Sequence, residues 1–166
     1  MDDGTPASDH EWAVRNGLIA AGLALFAAVV LLTGGGRARS ATVQHTCSAT
    51  DRQFITATEL NMTALGVWSD DYRSGAATAS EVISEARKAA KRVSTLQPRD
   101  RSLRTTQSLV AGMLTEYGRA MLAKSKHKDA APHMYRAYGL ANFAHDVLTD
   151  AALELRQRGC DVSGLL

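Results

Sequence analysis

The stretch from residue 16 to residue 36 contains no charged side chain, and it constrains the fold more than any other feature. Its centre reads GLIAAGLALFAAVVLLT. At about 1.5 Å per residue, a helix of this length crosses the roughly 30 Å hydrocarbon core of a bilayer. The stretch therefore predicts a transmembrane anchor over residues 16–36. The rival interpretation is a cleaved signal peptide. The apolar region of a signal peptide usually follows basic residues, whereas acidic residues dominate the tail before residue 16.

Composition and spacing divide the rest of the chain around this anchor. Residues 1–15 are rich in acidic and small residues and predict a disordered tail, because they offer too little apolar surface for a core. Residues 37–46 follow three glycines and predict a linker. Residues 47–162 predict one folded domain, and residues 163–166 a short C-terminal tail. The composition, rich in alanine and arginine, suggests a bacterial membrane protein.

The folded region contains four segments in which apolar residues recur at three- and four-residue intervals, as in amphipathic helices. Ser48 or Thr50 is the expected N-cap of the first segment, and Asp129 that of the fourth. Aromatic residues make up only 5% of the chain, so small side chains dominate the apolar stripes. The stripes are Phe54, Ala57, Ala64, Leu65, Trp68 and Tyr72, then Val82, Ala86, Ala89, Val93 and Leu96, then Leu103, Thr106, Val110, Met113, Leu114, Tyr117 and Met121, then Met134, Tyr138, Ala141, His145, Leu148, Ala152 and Leu155.

Short connections between four helices favour an antiparallel arrangement. The predicted fold class is therefore all-α, with an N-terminal single transmembrane helix followed by an antiparallel (up-down-up-down) four-helix bundle. In that topology the start of the first helix and the end of the last lie at the same end. Cys47 and Cys160, the only two cysteines, can then form a disulfide. The alternative is two unrelated buried thiols.

Two signals disagree about the side of the membrane on which the bundle lies. A lasting disulfide requires an oxidising compartment and places the bundle outside the cytoplasm. Basic residues favour the cytoplasmic side, and Arg37 and Arg39 follow the anchor whereas only Arg15 precedes it. The disulfide is the better guide, because the basic bias amounts to two or three residues. We therefore expect a single-pass protein of the cell membrane with an extracytoplasmic bundle.

The same topology gathers arginines at the end of the bundle next to the membrane. These residues are candidates for contact with anionic lipid headgroups, which attract basic side chains. Ordinary solvated turn residues are the alternative. The candidate membrane-surface residues are Arg37, Arg39, Arg52, Arg99, Arg101, Arg104, Arg156 and Arg158.

The sequence contains no recognisable catalytic, cofactor-binding or metal-binding motif, so no cofactor is predicted. Glu59, Glu116 and Asp146 stand as isolated carboxylates. The formal net charge of +2 argues against a nucleic-acid binder, which is usually strongly basic. A small apolar pocket between helices is a further candidate, although its members are more often core residues. It would use Trp68, Tyr72, Tyr138 and His145.

These observations predict a non-enzymatic protein that is an accessory, scaffold or interaction subunit of a membrane assembly. The expected partners are the lipid bilayer and another protein of that assembly. The alternative function is a membrane-anchored sensor or small-ligand-binding bundle, with the ligand unknown.

Overall fold

A computed structural model describes residues 46–166, and this part of the chain is helical. Its four helices are α1 (Ala49–Ser74), α2 (Ala79–Thr95), α3 (Arg101–Ser125) and α4 (Ala131–Gln157). A single 3-10 turn spans Ser163–Leu165, and residues 46–166 contain no strand. The four helices form a bundle, which confirms the predicted all-α class and the number of helices.

Residues 1–45 lie outside the described part of the chain. The predicted acidic tail, the predicted anchor over residues 16–36, Arg37 and Arg39 therefore lie outside it as well. Between residues 46 and 166, no helix combines the length and the apolar character needed to cross a bilayer.

Polar side chains fix the beginnings of the first three helices. The Ser48 hydroxyl accepts a hydrogen bond from the Asp51 backbone N–H at 3.1 Å, and the Asp51 carboxylate accepts one from the Ser48 N–H. Thr78 and Glu81 form the same reciprocal capping box at the start of α2. Asp100 caps α3. Such caps satisfy N–H groups that have no partner within a helix and are each worth about 1 kcal/mol. Of the two N-caps expected for the first helix, Ser48 and Thr50, Ser48 is the one that caps it.

The fourth helix begins differently from the prediction. Ala130 occupies the N-cap position without a side-chain hydrogen bond, and a proline lies in the first turn. The predicted cap, Asp129, still helps, because its carboxylate accepts from the Ala131 N–H at 2.9 Å. At the other end of α1, Gly75 adopts a φ of 81°. A residue with a Cβ is strained in this left-handed region, which explains why the helix ends at glycine.

The helices pack in chain order. α1 packs on α2, α2 on α3, and α3 on α4, whereas α1 makes only slight contact with α3. Within residues 46–166, α1 and α4 do not pack against each other as helices. Instead, the 3-10 turn after α4 returns to α1, and both α4 and α1 contact it. The disulfide end therefore provides the closure that direct packing of α1 on α4 does not.

Small residues bring neighbouring helices close together. A Cβ built on Gly118 of α3 would lie 3.5 Å from the Ala86 Cβ of α2. A Cβ on Gly112 would lie 3.3 Å from the side chain of Leu140 on α4. Small residues thus allow neighbouring helix axes to approach closely, as the alanine-rich composition suggests.

The core runs through all four helices, with Phe54, Val82, Leu114 and Leu155 fully buried. The predicted stripes are largely confirmed, but Ala64 and Tyr138 are wrongly assigned to the core because both are exposed, Tyr138 at 62%. The buried stripe of α4 consists of Ala137, Ala144, Leu148 and Leu155, whereas Tyr135, Phe143 and Leu153 are also exposed. Because α4 carries apolar side chains on both faces, periodicity alone does not select the buried one.

Candidate functional site

The disulfide predicted from the sequence is present and joins the residues before α1 and after α4. Cys47 and Cys160 are buried, their Cα atoms lie 5.1 Å apart, and 113 positions separate them in the chain. The Cys47 backbone N–H also donates a hydrogen bond to the Arg158 carbonyl at 2.7 Å. The two ends of the bundle sequence are thus held together by a covalent bond and by a backbone hydrogen bond.

A buried carboxylate organises the residues beside this disulfide. One oxygen of Asp51 accepts from the backbone N–H groups of Arg99 and Asp100, at 2.6 and 3.0 Å. The other accepts from the Ser48 hydroxyl at 2.6 Å. Burial alone would raise the pKa of Asp51, but the hydrogen bonds from Ser48, Asp100 and Arg99 together lower it below its ordinary value. Asp51 therefore ties the start of α1 to the start of α3 as a carboxylate.

An ion pair brings the end of α4 to the same place. An Arg158 terminal nitrogen donates to the Asp100 carboxylate at 2.6 Å, and the Asp100 side chain is only 9% exposed. A longer contact of 3.6 Å joins Arg158 to Glu154. Three helix ends thus meet around Asp100, because Asp51 of α1 also contacts its backbone.

Six arginines surround this junction, and we call them the arginine collar. Besides Arg158, two of them hold the junction together, since Arg52 donates to the Cys47 carbonyl at 2.6 Å and Arg104 donates to the Arg99 carbonyl. Arg158 pairs with Asp100, while the other side chains extend into solvent. The prediction that these arginines lie at one end is consistent with these contacts. The collar consists of Arg52, Arg99, Arg101, Arg104, Arg156 and Arg158.

An open groove of 510 Å³ lies beside the collar. The Gln107 side-chain amide bridges helices at its edge by donating to the Val93 and Leu96 carbonyls. The groove is shallow and combines arginine, hydroxyl and amide groups with the apolar side chains of Leu96 and Pro98. Its lining residues are Thr50, Leu96, Gln97, Pro98, Arg99, Arg104 and Gln107.

A second charged cluster lies between α3 and α4, and sequence reasoning missed it. Glu116, treated as isolated in the sequence, is buried and accepts from Arg119 at 2.5 Å and Arg136 at 3.1 Å. Its other close contact is the His133 ring nitrogen at 2.7 Å. The hydrogen bond with His133 lowers the pKa of Glu116, burial opposes this change, and the two arginines add to it. The i, i+3 spacing of Glu116 with Arg119, and of His133 with Arg136, was the available signal.

The four residues of the predicted pocket are not brought together in one place. Trp68 and Tyr72 are half-buried on α1, and the Lys124 ammonium lies 5.2 Å from the centre of the Tyr72 ring. Tyr138 is exposed on α4, a helix that does not pack on α1. His145 is half-buried one turn from Thr149, whose hydroxyl is 3.4 Å from its ring. Tyr138 thus stands apart from Trp68 and Tyr72.

The geometry of residues 46–166 includes no cluster of three or more histidine, cysteine or carboxylate side chains placed to hold a metal ion. Comparison with protein-family models, curated proteins and solved structures finds no match to this chain.

Proposed function

We propose that the chain is a single-pass membrane protein whose bundle stands outside the cytoplasm, with the arginine collar next to the lipid. In this proposal the bundle is a non-enzymatic interaction subunit of a membrane assembly. The observation that carries it is the coincidence, at one end of the bundle, of the disulfide, the arginines and the point where the chain enters from residue 46. A bundle entered at its basic end presents that end to whatever precedes it in the chain.

The length of the linker supports this placement. Residues 37–46 are ten residues, which span at most about 35 Å when fully extended. The collar would therefore stay within reach of the headgroups at the end of the proposed anchor. A basic residue near an anionic surface is worth about 1 kcal/mol, and five of the six collar side chains are more than one-third exposed. Only Arg158 is largely occupied by an ion pair.

The contacts at the two ends also support the antiparallel up-down-up-down order, which we include in the proposal. Asp51 at the start of α1 reaches the start of α3, and Arg158 after α4 reaches the same turn. Farther along, the Ser69 hydroxyl near the end of α1 lies 2.7 Å from the Tyr117 hydroxyl on α3. All three contacts are satisfied if α1 and α3 run in one direction and α2 and α4 run in the other.

The compartment is tested on native membranes that contain the full-length protein, by denaturing them and alkylating thiols with and without prior reduction, and reading the mass shift on a gel. The proposal expects Cys47 and Cys160 to resist alkylation until reduced. A Cys47→Ala variant is the control, because its single remaining thiol should label after denaturation without reduction. Free labelling of both thiols in the parent protein would contradict an extracytoplasmic bundle.

The lipid contact is tested with the detergent-solubilised full chain by native mass spectrometry, which counts bound phosphatidylglycerol. Arg99→Gln/Arg101→Gln should retain fewer anionic lipids than the parent. Lys126→Gln/Lys128→Gln is the matched control, since it removes two exposed charges beyond the end of α3. Equal lipid retention by the two double variants would refute the role of the collar.

A further inference from the structure

Two exposed helix faces carry opposite charges, most of which have no ion-pair partner within residues 46–166. On α2, Arg87 and Lys91 are exposed and form no ion pair within the described chain. On α4, Asp146 and Asp150 are also exposed and form no ion pair within the described chain. Glu154, whose side chain is 75% exposed, makes only the 3.6 Å contact with Arg158. We call the first pair the basic face and the three acids the acidic face.

The like charges on each face destabilise the helix that carries them. Asp146, Asp150 and Glu154 recur every four residues, so like charges stand one turn apart. Arg87 and Lys91 have the same spacing on α2. Like-charged pairs at this spacing destabilise a helix, and local conflicts of this kind are typical of functional surfaces. A partner of opposite charge would relieve both conflicts.

The two faces of one molecule cannot neutralise each other. α3 packs against both α2 and α4, whereas α2 and α4 do not pack on one another within the described bundle. A second copy of the chain is free of this restriction. Its acidic face can approach the basic face of the first copy while its own basic face remains open to a third.

Two of the three acids, Asp150 and Glu154, match the two basic residues in position along their helices. Both helices end beside the turn that holds Asp100. Lys91 lies four residues before the end of α2, and Glu154 three residues before the end of α4. Arg87 lies eight residues before its helix end, and Asp150 seven. One residue of a helix is about 1.5 Å, so both pairs align when two copies stand side by side with the same orientation.

We propose that copies of this chain associate laterally, with the basic face of α2 on one copy against the acidic face of α4 on its neighbour. The alignment rests on the proposed function, because anchors in one membrane give all copies the same orientation. The contact is heterologous, with different surfaces on the two partners, and so it can extend into rows or close into rings. Leu153, 68% exposed between Asp150 and Glu154, lies at the height of Lys91, whose aliphatic stem can cover it.

Confinement to a membrane makes such a contact effective. Exposed ion pairs are individually weak, and salt screens them. Anchoring raises the effective concentration of one copy near another without any new contact. We therefore expect association that is present in vesicles and falls steeply when salt is raised.

The direct test uses the full chain, mixed from ¹⁴N- and ¹⁵N-labelled protein and reconstituted together in vesicles. A carbodiimide joins lysine amines to carboxylates that are already in contact. The proposal expects mixed-isotope peptides that join Lys88 or Lys91 to Asp146, Asp150 or Glu154. Absence of mixed-isotope links between α2 and α4 would overturn it, whatever other links form.

Charge reversal provides the second test, read by energy transfer between labelled copies in vesicles. Arg87→Glu/Lys91→Glu should lose the transfer, and so should Asp146→Lys/Asp150→Lys. The chain that carries all four changes should regain it, because its two faces are complementary again. All these positions are exposed, so folding is little affected.

The controls separate this proposal from the membrane anchor. Lys126→Gln/Lys128→Gln should associate as the parent does, and reversal variants that also do so would refute the contact. Carbonate extraction of the same membranes tests the anchor independently. A chain that is extracted but still gives α2–α4 links refutes the anchor and retains the contact, whereas a retained chain without links does the opposite.

Discussion

Removing the disulfide should cost the bundle much of its stability, and the size of the loss follows from the loop that the bond closes. Cys47 and Cys160 are 113 positions apart. In the chain-entropy model, a cross-link over that distance lowers the entropy of the unfolded chain enough to stabilise the fold by about 4.8 kcal/mol at 25 °C. Whole domains are stable by only about 5–15 kcal/mol, so the loss is a large fraction of the total.

The packing order of the helices shows that the bond matters most for α1 in the folded bundle. α1 packs mainly on α2 and does not pack on α4 within the described bundle, so the bond supplies part of the missing closure. With about 2.1 cal/mol/K of unfolding entropy per residue, a bundle of this size should lose roughly 15–20 °C in Tm. Alanine is the replacement of choice, because both sulfur atoms are buried and serine would bury a hydroxyl group.

The assay is thermal and urea unfolding of the full chain in detergent, followed by circular dichroism. Cys47→Ala/Cys160→Ala should unfold at lower temperature than the oxidised parent, and the reduced parent should resemble the double variant. The urea slope should rise as well, since an unlinked chain exposes more surface when it unfolds. Reductant added to the double variant is the control and should change nothing. A loss below about 1 kcal/mol would refute the entropic reasoning.

Three further predictions concern single side chains. Asp51→Asn should destabilise the bundle by about 1–3 kcal/mol, because an amide cannot accept all the hydrogen bonds that this carboxylate accepts; urea unfolding measures the loss. The pKa values of Asp51 and Glu116 are lowered on folding, so the stability they contribute is present above about pH 4 and is lost as the pH falls through the folded pKa. Glu116→Gln should therefore cost about 1 kcal/mol at pH 7 and much less at pH 3, whereas an equal loss at both pH values would contradict the ionic account. Gly118→Ala should raise stability by about 0.5–1 kcal/mol, since its Cβ would meet Ala86 at 3.5 Å, an ordinary contact distance; a lower Tm would show that the helices cannot accept it.

Local patterns predicted much of the described fold. The spacing of Val82, Ala86 and Val93 identifies a helix and its buried face, because the α2 stripe is narrow and its other side is charged. Ser48 indicates a helix start because its hydroxyl can accept a hydrogen bond from a backbone N–H of the first turn. The disulfide followed from counting helices, since an even number of antiparallel segments returns the chain to its starting end.

Contacts between helices were beyond such patterns. Glu116 and His133 meet only because α3 and α4 take a particular rotation and register, and neither is visible in one helix alone. Tyr138 was misplaced for a related reason. α4 packs on α3 but not on α1, so a face that a closed bundle would bury stays in solvent.

The disulfide also has a consequence for biosynthesis. Cys160 follows all four helices, so the bond can form only after every helix has been synthesised. Because the chain contains only two cysteines, a single intramolecular pairing exists and no misbridged isomer needs to be reshuffled. An oxidant is then sufficient for maturation, and a disulfide isomerase has no wrong bond within the chain to correct. The appearance of the oxidised form in a pulse-labelling experiment would therefore time the moment at which the two ends of the bundle come together.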